Sequence, residues 1–223
     1  MQVFFEQREE IGPGIWQYAF RPERPCDFVP GQYVHLYLIG IPRDTRGASR
    51  TFSLTSLPQD ASLNFVTKHF ELQTAYKLML EQFEPGDAAR IDDAMGDLIL
   101  PKLKETPLVF IAGGIGIASY VSMFKELLSR KEERPIFLFY YVRSRREMIF
   151  RQLIDSYPLS GKEIAIAPNR IRAEDILSTV PPSSLFYISG SQRFTEEILG
   201  ELEAMNVPRS HIVFDYYDGY IET

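Results

Sequence analysis

The sequence predicts an α+β protein of two domains. We expect an N-terminal antiparallel Greek-key β-barrel at residues 1–102, followed by a parallel, Rossmann-like α/β nucleotide-binding domain at residues 103–223. The length of 223 residues suits one large domain or two small ones. Short strand-like runs separated by turn residues fill the first half, whereas apolar strands alternate with amphipathic helices in the second. The first pattern is typical of a small barrel, and the second of βαβ units in a parallel sheet.

Six strands are predicted in the first half, because β-branched and aromatic residues are concentrated there in short runs bounded by Gly and Pro. One helix, Gln73–Gln82, is predicted between the fifth and sixth strands. Six short strands at this spacing favour an antiparallel barrel. The predicted strands are Val3–Arg8, Ile15–Arg21, Gln32–Leu38, Arg50–Ser56, Leu63–Lys68 and Ala88–Asp92.

The second half begins after a linker at Pro101–Thr106 with a continuous apolar run, Leu108–Ala112. Such a run is typical of a strand that is buried on both faces. A Gly-rich turn and an amphipathic helix, Ala118–Ser129, follow it. The further predicted strands are Ile136–Val142, Glu163–Ala167, Leu185–Ile188 and His211–Tyr216, and the further helices are Glu147–Ser156, Ala173–Thr179 and Phe194–Met205.

Composition argues against several classes of protein. The formal net charge is −6, whereas nucleic-acid-binding domains are usually basic. Cys26 is the only cysteine of the sequence, which excludes an intramolecular disulfide and a Cys₄ iron–sulfur cluster within it. The three histidines lack metal-ligand spacing, so no metal site is predicted. The apolar runs are too short for a membrane span and the N-terminus does not resemble a signal peptide, so we expect a cytoplasmic protein.

The loop with Gly113, Gly114 and Gly116 lies between a predicted strand and a predicted helix. Glycines allow a ligand to approach the backbone closely, and the N-terminus of the helix offers N–H groups to a phosphate. A ligand at this turn is therefore one interpretation. The alternative is a tight turn without a ligand, because the third Gly of the usual dinucleotide fingerprint is missing.

The run from Arg50 to Ser53 combines an arginine, an aromatic ring and a hydroxyl on one predicted strand. Strand alternation puts Arg50 and Phe52 on one face and Thr51 and Ser53 on the other. An arginine can bind a diphosphate, an aromatic ring can pack on a cofactor ring, and a hydroxyl can bond to a ring nitrogen. The alternative is an ordinary half-buried strand with an exposed arginine.

Three arginines, Arg143, Arg145 and Arg146, follow the second strand of the predicted nucleotide-binding domain. In dinucleotide-binding folds this region lies near the adenosine ribose. Arginines there can pair with a 2′-phosphate and would favour NADPH over NADH. The alternative is a solvated, charged loop, in which exposed charges contribute little.

Taken in order, these motifs resemble those of the ferredoxin–NADP reductase family of flavoenzymes, over essentially the whole chain. The sequence departs from the family pattern at Ala118-Ser119, where Thr-Pro or a similar pair is usual, and at Ser191, where Pro is usual. A third departure is Asp93-Ala94-Met95-Gly96 in place of Gly-Pro-x-Gly. The motifs that carry the resemblance are Pro30–Val34, Arg50–Ser53, Thr74–Lys77 with Pro85–Asp87, Gly113–Gly116, Tyr187–Gly190, and Ile212–Tyr217 with Gly219-Tyr220.

The resemblance implies FAD as the bound cofactor and NADPH or NADH as the hydride donor. It implies hydride transfer between nicotinamide C4 and flavin N5, with electrons passed to a ferredoxin- or flavodoxin-like protein or to a small electron acceptor. No nucleic-acid or membrane partner is implied. One alternative is a flavin-binding regulatory or electron-relay subunit that is active only within a complex. Another is a nucleotide-binding module without flavin, against which the Arg50–Ser53 motif argues.

The resemblance also implies roles for individual residues. Arg50 would bind the flavin phosphate, Phe52 would pack along the flavin, and Ser53 would bond near N5. Asp215 and Ser189 would line the nicotinamide pocket, with Tyr217 beside the ring. The implied catalytic residues are Ser53, Ser189, Asp215 and Tyr217. The implied cofactor-binding residues are Arg50, Thr51, Phe52, Ser53, Thr67, Lys68, Thr74, Ala75, Gly113, Gly114, Gly116, Arg143, Arg145, Arg146, Ser189 and Gly190.

Overall fold

A computed structural model describes residues 1–41, 47–69 and 74–217, without the side chains of Tyr216 and Tyr217. The first half forms a six-stranded sheet in the order β4-β3-β6-β1-β2-β5, in which every neighbouring pair is antiparallel. A short helix, α1, precedes the last of these strands in the chain. Their bounds are β1 Gln2–Gly12, β2 Ile15–Pro22, β3 Tyr33–Leu38, β4 Ser49–Ser53, β5 Leu63–Lys68, α1 Ala75–Glu81 and β6 Ala88–Ile91.

The second half forms a five-stranded parallel sheet in the order β11-β10-β7-β8-β9. The strand order reverses between β7 and β10, and the crevice at such a reversal is where open α/β sheets bind their ligands. The bounds are β7 Leu108–Gly113, α2 Ala118–Ser129, β8 Ile136–Val142, α3 Arg151–Ser156, β9 Gly161–Ile166, α4 Ala173–Thr179, β10 Leu185–Ser191, α5 Gln192–Ala204 and β11 Ile212–Tyr217.

The hydrophobic core joins the two sheets rather than ending at their boundary. Side chains of α2, α3 and one face of the parallel sheet form a cluster that also contains Ile15, Val66 and Leu98 from the first half. A second cluster fills the inside of the antiparallel sheet, and a third lies under α4 and α5. The shared cluster fixes the parallel sheet against the strands β2 and β5.

The predicted fold class is confirmed, with one qualification about closure. Within the described residues β4 and β5 are not paired as strands, so the antiparallel sheet is barrel-like but open. The chain just after β4 still approaches β5, because the N–H of Thr55 donates to the carbonyl oxygen of Asn64 at 2.7 Å. The domain boundary at residue 102 falls between β6 and β7 and stays a prediction.

The bounds of α2 are as predicted, whereas the predicted helix Glu147–Ser156 is wrong over its first half. A short 3₁₀ turn, Arg145–Glu147, is followed by Phe150 at φ +56°, and α3 begins only at Arg151. The left-handed backbone at Phe150 cannot continue a right-handed helix. The predicted start of the first helix, Gln73, lies outside the described residues. No helix in residues 1–41, 47–69 and 74–217 combines the length and apolar character that crossing a membrane requires.

Candidate functional site between the two sheets

A chain of three buried serine hydroxyls connects the two halves of the molecule. Ser53 ends β4, Ser119 lies in the first turn of α2, and Ser189 lies in β10 near its C-terminal end. The Oγ atoms of Ser53 and Ser119 are 3.1 Å apart, and those of Ser119 and Ser189 are 2.9 Å apart. All three side chains are buried. The predicted flavin motif and the predicted nicotinamide motif therefore meet through Ser119.

Helix α2 makes two further polar contacts with the first half, at steps of three residues from Ser119. The hydroxyl of Ser122 accepts the N–H of Gly31 at 2.9 Å, and the ammonium of Lys125 donates to the carbonyl oxygen of Thr55 at 2.7 Å. Burial lowers the pKa of Lys125. Residues three apart lie close to the same face of a helix, so these side chains form one polar stripe along α2.

Strand pairing separates the four residues of the Arg50–Ser53 motif into two environments. Arg50 and Phe52 pair with Leu36 and Val34, which are fully buried, so they share the inner face of the sheet. Thr51 and Ser53 pair with His35 and Tyr33 on the opposite face. The alternation predicted from the sequence is present, and it directs Ser53 toward the second sheet.

The side chains of Arg50 and Phe52 both contact Tyr76 of α1. The guanidinium of Arg50 lies 4.7 Å from the ring centroid of Tyr76, and it donates to the carbonyl oxygens of Gly47 and Ser49. Phe52 stacks on Phe65 with centroids 4.5 Å apart, and its ring is 6.3 Å from that of Tyr76. Phe52 is thus a core side chain here, and its role along a flavin stays a prediction.

A cleft of about 370 Å³ opens between the antiparallel sheet and the edge strand β11. Tyr33 and Asp97 line it from the first half, and Asp215 lines it from β11. Burial is the main cause that raises the pKa of Tyr33, and the carboxylates of Asp215, Asp92 and Asp97 add to it. Two residues that line the cleft are strand partners of the hydroxyl chain, because Tyr33 pairs with Ser53 and Asp215 pairs with Ser189.

The predicted glycine loop lies at the C-terminal end of β7, beside the crevice at the strand reversal. Gly114 has φ +55°, and a methyl group there would have no atom within 4 Å. Gly116 packs against β10 so closely that a methyl group would lie 2.2 Å from the carbonyl oxygen of Ser189. Gly113 and Gly190 both lie against the ring of Phe194. Gly114 therefore faces open space, whereas the other three positions hold the loop against β10 and α5.

Arg143 lines a pocket at the C-terminal end of β8 with two arginines that sequence reasoning missed, Arg170 and Arg193. The pocket also contains Tyr141, and Arg170 forms an ion pair with Glu197 at 2.8 Å. Arg145 and Arg146 are exposed in the 3₁₀ turn and are not among the residues that line this pocket. The structure thus separates the three arginines that the sequence placed together.

The remaining predicted residues lie near the ends of β5 and α1. Thr67 is buried in β5, and the ammonium of Lys68 is 2.6 Å from the carboxylate of Glu147 in the second half. Thr74 caps α1, because its side chain accepts the N–H of Lys77, and Ala75 is the first residue of that helix. Their roles toward a cofactor stay predictions.

Two predicted residues need separate mention. Asp215 is in β11 and faces the cleft as described above. Tyr217 is the last residue of β11, and its side chain is outside the described part of the structure. Across residues 1–41, 47–69 and 74–217, we found no group of three or more His, Cys, Asp or Glu side chains that could hold a metal ion.

No family model matches the chain, but curated relatives do. The reductase component DmpP of phenol 2-monooxygenase from Pseudomonas sp. (strain CF600) is 29% identical over 167 residues, which is 74% of this chain and 46% of that protein. The chain therefore spans about half the length of the curated relatives it matches.

Solved structures share the fold at lower identity. The flavohem-like FAD/NAD-binding domain of nitric oxide dioxygenase from Vibrio cholerae O1 biovar El Tor has a TM-score of 0.79 at 16% identity and covers 97% of this chain and 98% of that one. Ferredoxin–NADP⁺ reductase from Plasmodium falciparum has a TM-score of 0.78 at 16% identity, with 97% and 95% covered.

The antiparallel sheet followed by the parallel sheet is the two-domain fold that these solved structures share. The chain is similar to proteins of the ferredoxin–NADP reductase-like kind, which confirms the resemblance drawn from the motifs.

Proposed function

We propose that this chain is the FAD- and NAD(P)H-binding module of a flavin-dependent NAD(P)H oxidoreductase that passes electrons to a separate acceptor. The observation that carries the proposal is the hydroxyl chain from Ser53 through Ser119 to Ser189. It brings the predicted flavin motif to the end of β10, where the strand order reverses. The similarity to a reductase component of an oxygenase system supports the same assignment.

The residues around the cleft fit a flavin ring and a nicotinamide ring. Its volume of about 370 Å³ is within the range of roughly 300–1,000 Å³ that small-molecule sites have. It offers the aromatic ring of Tyr33, whose partner on the neighbouring strand is Ser53. The loop at Gly114 leaves open space at the neighbouring crevice for the nucleotide's diphosphate.

When bound, FAD would supply the hydride-accepting and single-electron chemistry of the reaction. The residues of this chain would supply alignment and electrostatic stabilisation. Ser53 would orient the flavin ring by a hydrogen bond. The carboxylate of Asp215 would stabilise the positive charge that appears on the nicotinamide as its hydride leaves. Ser189 would line the crevice on the side of the nicotinamide.

The test is a visible spectrum of the purified chain followed by anaerobic addition of NADH or NADPH. We expect a flavin spectrum that bleaches on addition of the nucleotide, and FAD rather than FMN after release by heat. A colourless protein would contradict the proposal. A flavoprotein that neither nucleotide bleaches would favour the electron-relay subunit instead.

Arg50→Ala tests the placement of the flavin phosphate. Losing a charge-assisted hydrogen bond costs roughly 1.5–3 kcal/mol, or about ten- to a hundredfold in affinity. The variant should purify folded but depleted in flavin, whereas Arg90→Ala, which removes an exposed arginine of β6, should retain it. Full flavin content in Arg50→Ala would refute the placement.

We further propose that NADPH is preferred and that its 2′-phosphate binds in the pocket of Arg143, Arg170 and Arg193. Replacing Arg143 and Arg193 by Gln should lower kcat/KM for NADPH about tenfold or more and leave that for NADH nearly unchanged. The matched control replaces the two loop residues, Arg145 and Arg146. If only the control loses NADPH activity, the phosphate site is the loop predicted from the sequence.

The acceptor would be a ferredoxin- or flavodoxin-like protein, an oxygenase component or a small electron acceptor. Because Cys26 is the only cysteine of the sequence, these residues cannot form a Cys₄ cluster that would take the electrons from the flavin. We place the boundary between the two modules at residue 102 and propose a cytoplasmic location.

A further inference from the structure

We propose that Glu197 sets how strongly this chain prefers NADPH over NADH, by competing with the 2′-phosphate for the arginines at the end of β8. The inference rests on the proposed function, because it takes the pocket of Arg143, Arg170 and Arg193 as the site of the nucleotide's adenosine ribose. Glu197 lines this arginine pocket too, so one carboxylate lies among three cations.

The register of helix α5 places Glu197 in the arginine pocket. Four residues of this helix line the pocket, namely Arg193, Phe194, Glu197 and Ile198. Their spacing is that of one face of an α-helix. Ile198 is only 2% exposed, and the ring of Phe194 is stacked on that of Tyr141 with the centroids 6.2 Å apart. The packing of its neighbours therefore turns Glu197 toward the pocket.

Glu197 already binds one of the three arginines. Nη1 of Arg170 donates to Oε1 of Glu197 at 2.8 Å, and the two side chains are 57% and 43% exposed. An ion pair that is this exposed contributes little to the stability of the fold. Replacing Glu197 should therefore leave the protein folded, while it releases Arg170 to bind a ligand.

A carboxylate in the arginine pocket acts in opposite directions on the two nucleotides. A phosphate monoester carries close to two negative charges near pH 7, so Glu197 repels it and also holds Arg170 away from it. A 2′-hydroxyl is neutral, and it can donate a hydrogen bond to a carboxylate. Glu197 consequently weakens the binding of NADPH and strengthens that of NADH, which keeps the preference for NADPH modest.

The measurement is the affinity of the purified protein for 2′,5′-ADP and for 5′-AMP by titration calorimetry. The two fragments differ only in the 2′-phosphate, and neither contains a nicotinamide, so binding is measured without turnover. In Glu197→Gln the ratio of the two affinities should rise about tenfold in favour of 2′,5′-ADP, because a like charge is removed from beside the phosphate. In an Arg170→Gln background the same substitution should raise the ratio less, because the arginine that Glu197 withholds is gone.

Glu196→Gln is the matched control. It removes the same charge one residue earlier on α5, from an exposed side chain that accepts a hydrogen bond from Gln192 and does not line the arginine pocket. This control should leave the ratio within about twofold of wild type. An equal rise in Glu196→Gln would show an effect of overall charge and would overturn the role of Glu197.

The behaviour of wild type and of Arg143→Gln separates failure of this inference from failure of the proposed phosphate site. If wild type prefers 2′,5′-ADP and Arg143→Gln loses that preference, an unchanged ratio in Glu197→Gln overturns the role of Glu197 alone. If wild type binds both fragments equally or binds neither, or if Arg143→Gln keeps the preference, the arginine pocket is not the phosphate site. Both proposals then fail together.

Discussion

Replacing Gly116 by alanine should destabilise the protein more than the same change at Gly114, two residues earlier in the loop. At Gly116 the added methyl group would lie 2.2 Å from the carbonyl oxygen of Ser189, 2.5 Å from its carbonyl carbon and 2.8 Å from the nitrogen of Gly190. These are backbone atoms, and ordinary contacts begin at 3.4 Å. At Gly114 no atom lies within 4 Å, and only the φ of +55° is unfavourable.

The backbone of Ser189 cannot easily yield, because it is paired with Ala112 on one side and Asp215 on the other. Overpacking costs typically 1–3 kcal/mol, and we expect Gly116→Ala to cost about 3 kcal/mol or more. A left-handed residue costs about 1–2 kcal/mol, partly offset by the lower entropy of the unfolded chain, so Gly114→Ala should cost about 1 kcal/mol.

Thermal melting monitored by circular dichroism distinguishes the two. For a protein of this size 1 kcal/mol lowers Tm by about 2–4 °C. Gly116→Ala should therefore melt about 6–12 °C below wild type, and Gly114→Ala about 2–4 °C below it. The reasoning is refuted if Gly116→Ala melts within about 2 °C of wild type, or if Gly114→Ala is the less stable of the pair.

Three further predictions concern contacts outside the loop. A double-mutant cycle with Lys68→Met and Glu147→Gln, measured by urea denaturation, should give a coupling free energy of about 1–2 kcal/mol, because both side chains are less than one-fifth exposed. A coupling below about 0.3 kcal/mol would contradict a stabilising ion pair. Ser122→Ala should lower stability by about 1–3 kcal/mol, because it removes the acceptor of the Gly31 N–H, and an unchanged urea midpoint would argue against that bond. Hydrogen bonds from Lys104 and Arg134 lower the pKa of Glu132. The ionised carboxylate therefore stabilises the folded protein above the ordinary pKa of 4.5, and this stabilisation is lost as the pH falls through the lower pKa of the folded state. Glu132→Gln should therefore destabilise by about 1 kcal/mol at pH 7 but not near pH 2, and a difference that persists at low pH would exclude this cause.

Elements whose local pattern agrees with their packing could be predicted from the sequence. Helix α2 begins and ends at the predicted residues, because an amphipathic segment there follows a fully apolar strand and a glycine turn. The first strand is longer than predicted, because it continues beyond Arg8 through the exposed charges Glu9 and Glu10 to Gly12, in a hairpin with β2. Hairpin pairing stabilises those residues, and their own composition carries no signal of it.

Tertiary contacts account for what the sequence could not show. The sequence predicts one helix over Glu147–Ser156, but Glu147 forms an ion pair with Lys68 and Ile149 packs beside the turn at Gly12. The backbone accommodates both by a left-handed residue at Phe150. Arg170 and Arg193 lie in segments where exposed charge is ordinary, so only their approach to Arg143 makes them noticeable.

The polar stripe of α2 explains how one helix can set the alignment of the two predicted binding motifs. Ser119, Ser122 and Lys125 each contact the first half at a different point, and three separated contacts fix an orientation where one would allow rotation. Hydride transfer requires the reacting atoms to be about 3–3.5 Å apart, and a displacement of about 1 Å can cost a hundredfold in rate. In the proposed function, changes in this stripe should therefore lower kcat more than they lower the affinity for either nucleotide. Because Ser119 also belongs to the hydroxyl chain, it is the position at which alignment and hydrogen bonding change together.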